Sequence, residues 1–155
     1  MFVKRSRVLV VLFLLMAGVF SQSLFSHCQV PCGIYDDQMR IKMIAEHITT
    51  MEKAMNQIQK LSAEGKVNYN QIVRWVFNKE KHAEELSQIV TYYFLSQRIK
   101  PVKDKSQEAV YQKKLTLLHH LLIYTMKAKQ TADLGHIKKL RSLLHEFNHL
   151  YFAKK

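Results

Sequence analysis

The chain has 155 residues, with 24 Lys and Arg against 12 Asp and Glu and 8 His, a formal charge of +12. Only 4 Gly and 2 Pro interrupt a sequence that is 48% hydrophobic and 23% charged, which excludes a turn-rich sandwich, a collagen-like repeat and a disordered polyelectrolyte. Two cysteines exclude a disulfide-rich scaffold, and the length suits one compact domain.

Residues 1–26 open with Lys4, Arg5 and Arg7, continue through an apolar run from Val8 to Phe20, and end in Ser-Gln-Ser-Leu-Phe-Ser. That is the three-part layout of a cleavable export leader. The run of 13 residues is short for a bilayer span, so no stable membrane anchor is expected once the leader is removed. Ser26 is small enough to precede the cut, while Leu24 is a poor match two positions earlier, which implies a dedicated leader-processing protease or a first cut after Ser23 with later trimming. Cleavage before His27 leaves a chain of charge +9 whose localisation is exported, periplasmic or extracellular.

The next segment, His-Cys-Gln-Val-Pro-Cys-Gly-Ile-Tyr-Asp at 27–36, packs His27, Cys28 and Cys32 together. Thiolate, imidazole and backbone nitrogen suit zinc, copper or nickel. If the amine of His27 is free, that amine, the amide nitrogen of Cys28 and the two thiolates make a planar set of two nitrogens and two sulfurs, which favours Ni(II), with the His27 imidazole available axially. Pro31 helps fold the segment back and Gly33 permits the turn. A local Cys28–Cys32 disulfide or an inert tail stays open on spacing alone.

The remainder, 37–155, reads as four helices. Ile41, Ile44, Ile48, Met51, Met55 and Ile58 mark one face of the first, about 37–64, capped by Asp36 or Asp37. Ile72, Val76, Ala83, Leu86, Val90 and Tyr93 mark the second, about 68–99, which stops before Pro101. Val110, Leu117, Leu121, Tyr124 and Ala128 mark the third, about 104–132; Ile137, Leu140, Leu144, Phe147 and Tyr151 mark the fourth, about 133–152. Short connections make neighbours antiparallel, so the fold class is all-α, an up-down four-helix bundle preceded by a metal-binding hook and a cleavable leader.

The string H-C-x-x-P-C-G-x-Y directly after a removable leader, followed by some 120 helical residues, closely resembles the nickel-containing superoxide dismutases from residue 27 to the end. The resemblance implies one nickel ion per subunit held by His27, Cys28 and Cys32, with superoxide as substrate and a homohexamer as the assembly. It places Tyr35 beside the metal as a catalytic residue, and Tyr93, or alternatively Tyr92, as a second aromatic gate. It also implies a carboxylate from the first helix and an arginine from the second to fix the axial imidazole. This chain departs there: Lys42 or Met43 aligns with the acid, Glu46 follows a turn later, His82 aligns with the arginine, and Arg74 lies two turns earlier. At most one of Glu46, Arg74 and His82 is expected to contact His27. Position 29 is Gln rather than an acid, which lowers negative charge at the mouth of the hook.

Nickel suits this chemistry because thiolate and amidate ligands stabilise Ni(III) and permit one-electron cycling with Ni(II). A non-catalytic nickel- or copper-binding helical protein is the alternative from another class, and a helical structural protein with a disulfide-pinned tail is a third. A literal H-E-x-x-H at His145, Glu146 and His149 mimics a zinc protease, but only six residues follow and none is an acid or histidine. Those histidines, like His119, His120 and His136, read as surface or interface residues. Cations spread through all helices after an export leader do not point to nucleic acid; they are compatible with an anionic substrate.

Overall fold

The structure, a computed structural model, describes Pro31 and residues 33–153. The leader at 1–26, with His27, Cys28, Gln29 and Cys32, lies outside the described residues. Among the described residues the chain is entirely helical: α1 is Asp37–Ser62, α2 is Tyr69–Gln88 and runs on as a π-helix at Ile89–Arg98, α3 is Glu108–Gln130 after a 3-10 turn at Lys105–Gln107, and α4 is Leu134–Phe152. Helix α1 packs on α2 and α4, and α3 packs on the same two, which closes the four into a bundle. None of the described helices is long and apolar enough to cross a membrane.

The 3-4 spacings become the core. On α1, Ile41, Ile44, Ile48, Met51 and Met55 are buried and Ile58 is half-buried; α4 contributes Ile137, Leu140, Leu144 and Phe147, with Tyr151 half-buried. On α3 the stripe holds at Leu117, Leu121 and Ala128, with Tyr124 half-buried, but Val110, in the first turn, is 44% exposed. Phe94 is fully buried at the centre of an aromatic group, edge-on to Tyr93, Phe147 and Tyr151 at 5.1, 5.1 and 5.6 Å.

Two features depart from the periodic reading. The second helix does not keep its 3.6-residue period to Ile99; from Ile89 its turns widen, and Ile99 donates its backbone N–H to the Phe94 carbonyl five residues back at 2.8 Å. The other is Lys79, which occupies the gap in the α2 stripe between Val76 and Ala83 and is only 4% exposed. Its ammonium donates to the carbonyls of Ala128 and Thr131, each at 2.9 Å, and of Lys129. These are terminal carbonyls of α3 without intrahelical donors, so a buried cation there caps the helix and meets the negative end of its dipole.

Candidate functional site

Two adjacent aspartates divide the labour at the start of α1. Asp36 is the cap, its Oδ1 accepting the Met39 backbone N–H at 2.9 Å. Asp37, the first helical residue, turns its carboxylate inward. Oδ1 accepts from the Tyr93 hydroxyl and from Arg98 Nε, each at 2.7 Å, while Oδ2 accepts from Arg98 Nη2 at 2.6 Å and from the Tyr151 hydroxyl at 2.9 Å. Burial pushes this carboxyl up, but the hydrogen bonds from Arg98, Tyr93 and Tyr151 outweigh it and hold Asp37 below the usual carboxylate value. Burial and the bond to Asp37 push the phenol of Tyr93 well above its ordinary range and that of Tyr151 to about 12.

The π-helix makes that grip possible. In an α-helix, residues five apart point about 140° away from each other, so Tyr93 and Arg98 could not both face one carboxylate. A turn closing over five residues brings them to one side. The same widening turns Gln97 inward, its Nε2 donating to the Tyr92 carbonyl at 2.8 Å and its Oε1 accepting from the Tyr35 hydroxyl at 3.3 Å.

Tyr35 therefore lands where the hook enters the bundle. Its ring meets that of Tyr93 edge-on, with centroids 5.9 Å apart, and the Arg98 guanidinium lies over it at 4.3 Å. Tyr35 is 40% exposed, whereas Tyr93 is 3% exposed. Gly33, at φ +75°, sits in the left-handed region that favours glycine and turns the chain just before Tyr35. A cleft of about 600 Å³ opens beside Tyr93, lined also by Pro31, Arg40, Met43, His47, Glu85 and Tyr92. The Arg40 guanidinium lies 5.1 Å from the centre of the Tyr93 ring.

On the wall of this cleft two histidines meet. His47 Nδ1 and His82 Nδ1 are 2.9 Å apart, and Glu85 Oε2 lies 3.5 Å from the first and 3.4 Å from the second. Burial pushes His47 below its usual value against the opposing pull of Glu85. This is the group of three His, Cys, Asp or Glu side chains close enough to share an ion among the described residues.

Of the sequence candidates, Tyr35 and Tyr93 are brought together, and Tyr92 lines the same cleft from an exposed position. His27, Cys28 and Cys32 lie outside the described residues, so the expected contact of Glu46, Arg74 or His82 with His27 lies outside them too. Glu46 and Arg74 are solvent-exposed, and His82 is partnered with His47 and Glu85. In the H-E-x-x-H stretch, His145 and His149 are exposed and Glu146 pairs with Lys113 at 2.7 Å, which lowers its pKa and occupies the group a protease would use as base. Sequence reasoning missed Asp37 as a hub, His47, Gln97 and Arg98. The Asp-Asp pair and the i,i+3 spacing of His82 and Glu85 were the available signals.

Fold and site define an all-helical bundle with an aromatic, acid and guanidinium cluster gathered around the start of its first helix. The family model for nickel-containing superoxide dismutase matches residues 22–155, and the chain belongs to that family. It is an oxidoreductase, a superoxide dismutase with a nickel cofactor. No curated protein and no solved structure matches the chain.

Proposed function

We propose that the chain disproportionates superoxide to dioxygen and hydrogen peroxide at a nickel ion held by His27, Cys28 and Cys32. The donor set fits the ion, because two thiolates with amine, amidate and imidazole nitrogens are ligands that borderline-soft nickel favours. When bound, nickel supplies the one-electron step by cycling between Ni(II) and Ni(III). The protein's own residues do the rest. Gly33 turns the chain just before Tyr35, and Tyr35 presents a hydroxyl that can hydrogen-bond a substrate oxygen or a water. Tyr93 acts as a positioning residue: its hydroxyl is committed to Asp37, and its ring edge holds Tyr35. Arg40 places positive charge on the cleft wall, where it attracts an anion.

The observation that carries this reading is the ring contact of Tyr35, which follows the proposed ligands in sequence, with Tyr93, which lines the same cleft as Pro31. Removal of 1–26 by a protease and export follow from the leader's layout. The homohexamer implied by family resemblance is supported by Tyr69, Val73 and Phe77, which recur every fourth residue on α2 and are 73%, 50% and 70% exposed, an apolar strip that assembly would cover.

The processed protein tests the reading. Stoichiometric nickel and superoxide removal are expected, with both lost in Cys28→Ser or Cys32→Ser while helical circular dichroism is unchanged. An extra residue before His27 should abolish turnover. Activity retained in any of these variants, or nickel bound without turnover in the wild type, would refute it.

A further inference from the structure

We propose that His47, His82 and Glu85 form a second site for a divalent transition ion of the zinc and nickel type, separate in its ligands from the hook. Three donor atoms, one from α1 and two from α2, converge within 2.9, 3.4 and 3.5 Å of one another. Those separations define a triangle whose corners lie about 1.9 Å from its centre, so an ion slightly above its plane meets all three at about 2.1 Å, the bond length of imidazole nitrogen and carboxylate oxygen on such metals. Two imidazoles and one carboxylate are a donor set that these ions accept, with further positions left for water.

The surroundings support it. Two imidazole nitrogens and a carboxylate oxygen, each able to offer a lone pair, are brought together here, and a hydrogen between the two Nδ1 atoms satisfies at most part of them. His47 Nε2 is buried with no hydrogen-bond partner among the described residues, and it is Nδ1 that faces His82 and Glu85. Lys81 pairs with the other oxygen of Glu85, Oε1, at 3.8 Å, which leaves Oε2 facing the histidines. The i,i+3 spacing on α2 sets His82 and Glu85 on one face, and the α1–α2 packing sets His47 opposite them, so the donors are ordered by the bundle itself. His47 and Glu85 line the same cleft as Pro31, so an ion there would be reached from that opening.

The experiment uses the full chain carrying His27→Ala, Cys28→Ser and Cys32→Ser, which removes the hook's side-chain ligands. Zn2+ is titrated by calorimetry, bound metal is counted after desalting, and Co2+ serves as a spectroscopic probe. One retained zinc per chain is expected, with cobalt bands of a nitrogen and oxygen environment. Adding His82→Asn or Glu85→Gln should weaken binding at least about a hundredfold, while His145→Ala with His149→Ala leaves it unchanged. Circular dichroism verifies that each variant keeps its helices. A hook-disabled chain that retains no stoichiometric ion, or one whose ion survives both His82→Asn and His47→Asn, overturns the proposal. Because the hook is disabled in every arm, the result is independent of whether the hook carries nickel.

Discussion

Where α1 begins, a partly buried carboxylate is held by three side chains from two other segments; where α3 ends, a buried ammonium is held by three backbone carbonyls of one helix terminus. Lys79 completes a helix that its partners already define, so its contribution is local stability. Asp37 joins the start of α1 to the π-helix and to Tyr151 of α4, and through Tyr93 and Arg98 it fixes the ring of Tyr35. Opposite charges are thus withdrawn from solvent, fully at Lys79 and in part at Asp37, but only the second is tied to the cleft.

That contrast can be broken at three places. The largest effect is expected from Asp37→Asn, which leaves the partly buried Arg98 without its counter-ion and should cost about 3 kcal/mol, read by urea denaturation, together with a loss of dismutase activity. The pH dependence follows in sign. Asp37 is more acidic folded than unfolded, so its contribution is complete above an unfolded value of about 4 and is lost as pH falls through the lower folded value. The wild type should lose stability across that acid range, and Asp37→Asn should flatten the loss; an unchanged acid limb would show that another group controls it.

Lys79→Met ranks next. It keeps the stem's apolar contacts but strips the donors from three carbonyls, and about 2 kcal/mol of stability should go with activity per folded molecule unchanged. A drop in turnover would remove the distinction between the two ends. Smallest is Tyr151→Phe, which deletes one of the hydrogen bonds on Asp37 while keeping the ring between Phe94 and Phe147; about 1 kcal/mol is expected by thermal denaturation.

The four helices were legible because burial writes a 3-4 spacing into the residues, and the short connections then leave little choice of topology. Lys79 was legible in principle, since it fills the one vacant step in Ile72, Val76, Ala83, Leu86 and Val90, but a lysine there looks like surface until the α3 terminus opposite it is known. The choice between Asp36 and Asp37 as cap could not be made from sequence, because both are good caps and the inward one is selected by partners 56, 61 and 114 residues away. His82 could be singled out, but its partner His47 could not, since their meeting depends on how α1 and α2 slide against each other. Widening at Ile89–Arg98 leaves no mark on hydrophobic spacing at all; it is paid for by contacts with Asp37 and Tyr35.

The wide turns carry a consequence for how this protein tolerates change. At its present length an ordinary α-helix would set Tyr93 and Arg98 about 140° apart, whereas shortening the stretch between them by a single residue would let it relax to ordinary geometry with the two about 40° apart, still on one side. Length and helix geometry are thus coupled at 89–98: a change in one is absorbed by the other before the grip on Asp37 is lost.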